Sequence, residues 1–531
     1  MKSSNLLKIA GLMVLLFFSC TKSKEVPEQE GFYEPWESLG PLFHDVQIAG
    51  VFPDSKTFVD CTPRKNPYEI AAEYEQVKNS PDFDLAGFVK ANFDEPIAPK
   101  VKSVEENEFF EEHLDNMWVN LTREASDTSG TSTLIALPGK YVVPGGRFRE
   151  IYYWDSYFTM IGLGVSGRDD LVKLMVDNFA YLIDSVGFIP NGNRSYYLGR
   201  SQPPYFAHMV NLYAQLTSLD DAVRYLPMIE KEYEFWMKGA DQLNATNQAV
   251  NRTVLLGDTL ILNRYYDFLD FPRPESHKED FELAEGLSAD EKSQLYRNLR
   301  AGAESGWDYS TRWFEDKDKF ATIRTTEILP VDLNCLLHGV EIILTRMYAH
   351  TGDMDKATEF AAKAADRQEA LQQVFWNEGQ GAFTDYVWTE DRLEDQVTMA
   401  TAYPLYFRIA TEEQGIQTMS YIEEHLLMPG GLVTTTIESG QQWDYPNGWA
   451  PLQWIGIKGM EHYDNAELAT DIAERWLSVN KKVYTNTGKM MEKYNVVDTT
   501  LTAGGGEYPT QDGFGWSNGV ALGLMAKKPV Y

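Results

Sequence analysis

Residues 171–186 read LVKLMVDNFAYLIDSV, and their apolar side chains recur at every third or fourth position. This spacing places them on one stripe of a helix and predicts an amphipathic helix with one buried face. Similar stripes occur at 206–216, 333–348, 360–374 and 468–477, whereas strand-like alternation is scarce. The sequence therefore predicts an all-α protein.

Loops rich in glycine, proline and aromatic residues separate the predicted helices, at 144–158, 189–205, 263–276, 305–314, 440–451 and 504–516. Helices that alternate with such long loops in one large body favour an α/α barrel, in which an inner and an outer ring of helices gather the loops at one end. Before these helices, residues 39–64 are rich in proline and aspartate and are predicted to wrap around the larger body.

The loop at 144–158, PGGRFREIYYWDSYF, combines six aromatic residues with two arginines and two acids. We interpret it as the wall of a pocket, because aromatic faces stack on partly apolar rings while arginine and aspartate form directed hydrogen bonds. A sugar ring, with its C–H face and hydroxyl rim, suits such a wall. The alternative interpretation is an aromatic core strand with two surface arginines.

Charge and motif content exclude several classes of function. The net charge of −32 would repel a phosphate backbone, so we expect no nucleic-acid partner. The phosphate-binding Gly-Lys-Ser/Thr is absent, so the glycines at 504–506 do not indicate a nucleotide site. Three cysteines and eight histidines show no metal-ligand spacing, so we expect neither a metal nor a cofactor.

The N-terminus has the pattern of an export signal. Two lysines precede a short apolar run, 9–18, and Ser19-Cys20 follows it as in a bacterial lipobox. We predict a signal peptide at 1–19, a lipid-carrying Cys20, a polar tether at 20–38, and a periplasm-facing position in the cell envelope. Ordinary secretion is the alternative, and the inner and outer membrane are equally compatible with the anchor.

The other two cysteines, Cys61 and Cys335, are compatible with a disulfide in an oxidising compartment or with two separate buried thiols.

Carboxylates among aromatic residues are the remaining candidates for chemistry. Hydrolysis of a glycosidic bond needs one acid and one base or nucleophile. Asp308 lies between Trp307 and Tyr309, which suits a caged acid, and Glu492 precedes Lys493, which suits an ionised partner. Glu507, after three glycines, is a third candidate, and composition does not rank the three.

Two long motifs carry a resemblance to family 37 trehalases, the α,α-trehalose glucohydrolases: PGGRFREIYYWDSYF at 144–158 and QWDYPNGWAP at 442–451. Shorter stretches match as well, among them NGNRSYYLGRSQPP at 191–204, PRPES at 272–276, SGWDYSTRW at 305–313, EKYNV at 492–496 and GGGEYPTQDGFGWSNG through 519. The resemblance extends from about Leu39 to the end of the chain.

The resemblance implies an (α/α)6 barrel over 39–531 and an inverting hydrolysis of trehalose, with Asp308 as general acid and Glu492 as general base activating a water molecule. No cofactor is implied, and we expect a monomer. The implied substrate contacts are Arg147, Phe148, Trp154, Asp155, Asn191, Arg200, Gln202, Arg273, Glu275, Gly306, Trp449 and Glu507.

Because trehalose is neutral, the arginines are expected to donate to its hydroxyl groups and to balance Glu275, Asp155 and Glu507. Two other functions remain as alternatives. One is an inverting glycosidase that acts on a related α-glucoside, and the other is a glycan-binding lipoprotein without catalysis. Only an enzyme needs both Asp308 and Glu492.

Overall fold

The computed structural model describes residues 31–96, 109–125, 131–501, 503 and 509–526. The predictions for the signal peptide, for Cys20 and for Glu507 lie outside these described residues.

The N-terminal segment forms a small cluster of helices beside the main body. Proline or a polar cap starts most of them, as where the Asp54 side chain accepts from Thr57 N at 2.8 Å. Their apolar faces bury Leu42, Phe43, Phe58 and Ile70 together. The helices are α1 (Pro35–Ser38), α2 (Pro41–Ile48), α3 (Ser55–Val59), α4 (Pro67–Val77) and α5 (Leu85–Asn92).

This cluster overlaps the expected tether. Tyr33 is buried, Ser195 donates to its carbonyl oxygen, and α1 contacts α2 and α4. Residues 33–38 are therefore part of the packed body.

Fifteen further α-helices make up about half of the rest of the described chain. They are α6 (Phe110–Leu121), α7 (Tyr153–Val165), α8 (Asp169–Val186), α9 (Phe206–Leu216), α10 (Leu219–Ala222), α11 (Leu226–Trp236), α12 (His277–Leu283), α13 (Ala289–Glu304), α14 (Val331–Thr351), α15 (Met354–Val374), α16 (Tyr403–Tyr406), α17 (Glu412–Tyr421), α18 (Ala450–His462), α19 (Ala466–Thr487) and α20 (Gly515–Met525).

Within the described residues, six helices form a closed inner ring. In the order α7, α9, α14, α16, α18, α20, each contacts the next, and α20 contacts α7. The inner helix α7 is buried on nearly all sides, as an element enclosed by others must be.

An outer layer surrounds this ring. Helix α6 packs on α20, α8 on α7 and α9, α11 on α14, α15 on α14, and α19 on α18. Helix α17 lies beside the ends of α15 and α18, where Gln414 Nε2 donates to Gln372 O at 3.1 Å and Gly415 lies against the Tyr463 ring. The predicted (α/α)6 barrel is confirmed.

The described strands are two to four residues long and pair antiparallel, so they fasten loops and build no large sheet. They are β1 (Thr62–Pro63), β2 (Phe93–Asp94), β3 (Thr122–Arg123), β4 (Tyr141–Val142), β5 (Ala249–Val250), β6 (Thr253–Leu256), β7 (Leu260–Asn263), β8 (Ile328–Leu329), β9 (Trp376–Asn377), β10 (Ala382–Phe383), β11 (Tyr386–Val387), β12 (Arg392–Leu393), β13 (Leu427–Met428), β14 (Gly431–Leu432), β15 (Asn447–Trp449) and β16 (Lys493–Asn495).

Two further features bear on the predictions. Cys61 and Cys335 are separate buried thiols, so they do not form a disulfide. Within the described ranges, no helix has both the length and the apolar character that a membrane crossing requires.

Candidate active site

One pocket of about 680 Å³ lies where α7, α18 and α20 begin. Every predicted site residue within the described ranges lines it: Arg147, Phe148, Trp154, Asp155, Asn191, Arg200, Gln202, Arg273, Glu275, Gly306, Asp308, Trp449 and Glu492. The structure thus brings together residues from loops far apart in the sequence.

The stretch 144–158 is only partly a loop. Helix α7 begins at Tyr153, so Trp154 and Asp155 belong to its first turn, while Arg147 and Phe148 come from the loop before it. The alternative interpretation as a core strand is wrong, because the second half of the stretch is helical. The pocket-wall interpretation agrees with the lining of the pocket.

Tryptophan rings form the apolar part of the pocket. Trp443 and Trp449 stack with ring centroids 3.8 Å apart, and Trp307 also stacks on Trp443, with centroids 5.5 Å apart. Trp516 stands nearly perpendicular to Trp449. Because these large rings pack against one another, they form a rigid surface that suits the C–H face of a sugar.

Asp308 is held by a loop that packs against this surface. Its neighbours Trp307 and Tyr309 are buried, while Asp308 itself is half-buried and lines the pocket. Gly306 has φ +76°, and a Cβ atom there would lie 2.8 Å from the Trp154 indole. Glycine is therefore required for the close approach of the acid loop to Trp154.

Glu492 is almost fully buried and stands directly before β16, which pairs with β15 so that Lys493 is opposite Trp449. Lys493 Nζ lies 3.5 Å from Glu492 Oε2 and donates to Gln442 Oε1 at 2.7 Å. Trp516 Nε1 donates to the Glu492 carbonyl oxygen at 2.9 Å. The carboxylate of Glu492 therefore has a cation beside it, as its sequence context predicts. Burial lowers the pKa of that lysine despite the charge of Glu492.

Asp155 is in a different electrostatic environment. Burial raises its pKa well above the usual value, and the charges of Glu492 and Asp308 raise it further. No ion pair joins Asp155 to an arginine among the described residues, so the expected balance by arginine is wrong for this carboxyl. A protonated Asp155 is a hydrogen-bond donor.

The arginines pair with other acids. Arg200 contacts Glu275 at 2.5 Å and donates to Asn191 Oδ1 at 3.1 Å. Burial alone would raise the pKa of Glu275, but Arg200 and Arg273 outweigh burial and lower it. Arg273 Nη2 also lies 2.6 Å from Asp280 Oδ1, a partner that sequence reasoning did not identify. The expected charge balance thus holds for Glu275.

Several lining residues were missed by the sequence analysis: Lys56, Tyr152, Tyr197, Ser276, Ala303, Trp443, Phe514 and Trp516. Most of them stand in the motifs already quoted, so membership in those motifs could have identified them as lining residues. Lys56 comes from the N-terminal cluster, within the stretch FPDSKTFVDC at 52–61 that also resembles the family, and it pairs with Asp60 at 2.6 Å and Glu150 at 2.8 Å.

Across the described ranges, no group of three or more histidine, cysteine, aspartate or glutamate side chains is placed to hold a metal ion. The chemistry that the pocket offers is that of carboxyl groups beside aromatic rings and arginines.

Comparison with known proteins gives consistent matches. The family profile described as Trehalase matches residues 50–528. A putative periplasmic trehalase of Salmonella typhi is 46% identical over 520 residues, covering 98% of this chain and 91% of the relative. A periplasmic trehalase of Salmonella paratyphi A has the same identity and coverage.

The fold of this chain is also similar to that of solved structures. The neutral trehalase Nth1 from Saccharomyces cerevisiae matches with a TM-score of 0.60 and 27% identity, over 79% of this chain and 80% of the yeast chain. A GH63 mannosylglycerate hydrolase from Thermus thermophilus matches with a TM-score of 0.51 and 15% identity, over 78% of this chain and 98% of that one. The second match bears on the fold alone.

Proposed function

The chain belongs to the trehalase family, and we propose from this membership that it hydrolyses α,α-trehalose to two glucose molecules with inversion, using Asp308 as general acid and Glu492 as general base. The observation that carries the assignment of roles is that both carboxyl groups, each in its family motif, line one pocket with tryptophan and arginine. A glycan-binding protein would need no such pair.

The acid step falls to Asp308. Trehalose joins two glucose rings through one oxygen between their anomeric carbons, and cleavage requires a proton on that oxygen as the bond breaks. Asp308 lies at the edge of the tryptophan surface between buried Trp307 and Tyr309. An apolar surrounding favours the protonated form that a general acid needs.

The base step falls to Glu492. It takes a proton from a water molecule, which attacks one anomeric carbon from the face opposite the leaving group. Lys493 Nζ lies 3.5 Å from this carboxylate and pairs with it. The attacked ring leaves as β-glucose, and the departing ring keeps the α configuration, so the balance is one water consumed for two glucoses formed.

Binding is divided between stacking and hydrogen bonds. Trp449 and Phe148 offer apolar faces to the sugar rings, and Asn191, Gln202 and the paired Arg200 offer directed donors and acceptors. Burial favours the protonated form of Asp155, in which its carboxyl donates a hydrogen bond. Residues Arg147, Trp154, Arg273, Glu275 and Gly306 complete the substrate contacts within the described ranges, and Glu507 adds one from the segment at 504–508.

The relatives are periplasmic trehalases, and their names support a periplasmic location for this enzyme. We further propose that residues 1–19 are removed, that Cys20 carries lipid and anchors a monomer to the membrane, and that residues 39–531 form a single catalytic domain. The packing of residues 33–38 on the body shortens the free part of the tether.

Proton NMR of the purified protein with trehalose, read before the anomers equilibrate, tests the mechanism. Equal initial amounts of α- and β-glucose are expected for single displacement. Formation of α-glucose alone would indicate retention and reassign Glu492 as a nucleophile. No release of glucose would contradict the function, and a panel of other α-glucosides would then identify the substrate.

A further inference from the structure

A second, larger cavity of about 1190 Å³ lies farther along the same inner helices. It is lined from Tyr157 on α7, His208 on α9, His338 on α14 and Trp454 on α18, and it shares no lining residue with the proposed active site. Nothing in the proposed reaction uses it.

An aromatic layer separates the two cavities. The Tyr205 ring lies 6.4 Å from the Trp154 ring of the active site and stacks on Tyr157 of the second cavity at 4.8 Å. The Tyr205 hydroxyl contacts the Tyr403 hydroxyl at 3.2 Å. Because Tyr205 is fully buried, the second cavity is a separate compartment and not an extension of the first.

The inner part of the second cavity holds an unsatisfied polar group. His338 is only 6% exposed, and neither of its ring nitrogens has a hydrogen-bond partner. Buried polar atoms without partners are costly and rare in folded proteins. Since His338 lines the cavity, a molecule bound there would supply the missing partners.

The histidines of this cavity favour a neutral ligand. Burial lowers the pKa of His338 and of His208 to about 4, and the charge of Arg367 contributes at His338. Both rings are therefore neutral at pH 7. His338 offers one N–H donor and one acceptor nitrogen, whereas Nε2 of His208 already faces the Leu336 carbonyl oxygen at 3.4 Å and leaves Nδ1 as an acceptor. Hydroxyl groups, which donate and accept, satisfy both nitrogens of His338, whereas an anion or a cation satisfies only one of them.

The remaining lining completes a sugar-like environment. Tyr157, Tyr406, Phe407 and Trp454 offer flat apolar faces. Ile342 and Glu461 are exposed at the rim, so the cavity is open to solvent. We propose that this cavity is a second binding site, for a neutral polyhydroxylated ring of monosaccharide size, with its hydroxyl groups on His338 and its C–H face on the aromatic side chains.

Equilibrium dialysis of the full chain against labelled D-glucose tests this site. The choice of probe rests on the proposed function, since glucose is its product, but the measurement needs no turnover. We expect His338→Phe to lower the number of glucose molecules bound per chain by one. The matched control is His350→Phe, an exposed position on the same helix, which should leave the number unchanged.

An unchanged number in His338→Phe would overturn the proposal and mean that the cavity holds water only. If circular dichroism shows that this variant is unfolded, Ile342→Trp at the rim closes the entrance without changing the interior, and the same loss is expected. A loss of one site in a protein that releases no glucose from trehalose would keep this inference and reject the proposed function. Normal hydrolysis of trehalose, with an unchanged number of glucose molecules bound to His338→Phe, would keep the proposed function and reject this inference.

Discussion

Lys493 Nζ donates to Gln442 Oε1 at 2.7 Å, and the amide nitrogen of the same glutamine donates to the carbonyl oxygen of Asp308 at 2.5 Å. Gln442 therefore links the segment that carries the proposed acid to the lysine beside the proposed base. Both Gln442 and Lys493 are buried, so water does not replace these bonds.

Replacement of Gln442 by leucine should disturb both carboxylates at once. Hydrogen bonds to charged groups contribute about 1.5–3 kcal/mol, which corresponds to about a 10- to 100-fold fall in kcat with a smaller change in KM. Steady-state kinetics on trehalose measure this. Gln441→Leu is the neighbouring control and should retain activity, and a Gln442→Leu enzyme with wild-type kcat would show that the link has no effect on turnover.

Asp308→Asn should remove the proton donor while keeping the shape of the side chain. General acid catalysis is typically worth about 10²–10⁴-fold, so kcat should fall by that factor with trehalose binding retained. Binding is measured by calorimetry and kcat by glucose release. Asp318→Asn, on an exposed stretch ten residues farther on, is the control; normal turnover in Asp308→Asn would reject the assignment.

Asp155 gives a test of protonation state. If its raised pKa keeps it protonated at pH 7, asparagine reproduces its donor and leucine does not. We expect Asp155→Asn to keep kcat/KM within about tenfold of wild type and Asp155→Leu to lose about 10- to 100-fold more. Equal loss in both variants would mean that an ionised carboxylate is needed there.

Glu232 on α11 should make stability pH-dependent. Burial raises its pKa from 4.5 to about 8, and its Oε1 accepts a hydrogen bond from Tyr153 while Oε2 has no partner. Between pH 4.5 and 8 the folded protein holds a proton that the unfolded chain lacks. The free energy of unfolding therefore falls by about 1.4 kcal/mol per pH unit as pH rises.

Glu232→Gln should remove this contribution, because glutamine does not titrate. Melting temperatures at pH 5 and pH 8 measure the effect: wild type should lose more stability over this range than the variant, and the variant should be the more stable at pH 8. Glu234→Gln, exposed on the same helix, should behave as wild type. Parallel pH profiles for wild type and Glu232→Gln would contradict the prediction.

Cys20→Ser tests the anchor. Loss of the lipid-carrying thiol should move the protein from the membrane fraction to the soluble fraction after cell disruption. Immunoblots of the two fractions measure this, with Ser23→Ala as a control that should stay with the membrane. Retention of Cys20→Ser in the membrane fraction would favour another mode of attachment.

The sequence predicted the barrel because α8 and α19 show one apolar face each, which is the signature of a helix covering a core. It predicted the pocket residues through motifs whose order in the chain is unrelated to their order in space. Side-chain direction was not predictable: Gln442 and Trp443 stand in a quoted motif, yet only the fold turns one toward Asp308 and the other toward Trp307. Partners distant in sequence, such as Lys56 and Glu150, carry no local signal.

The pocket is lined by residues from Lys56 to Trp516, almost the full length of the chain. A polypeptide still emerging from the ribosome, or still crossing a membrane, lacks part of that lining. The lining is therefore complete only after α20, the last helix of the described residues, has packed on α7. Contacts so far apart in sequence also make folding slow, because long loops must close before the ring is complete.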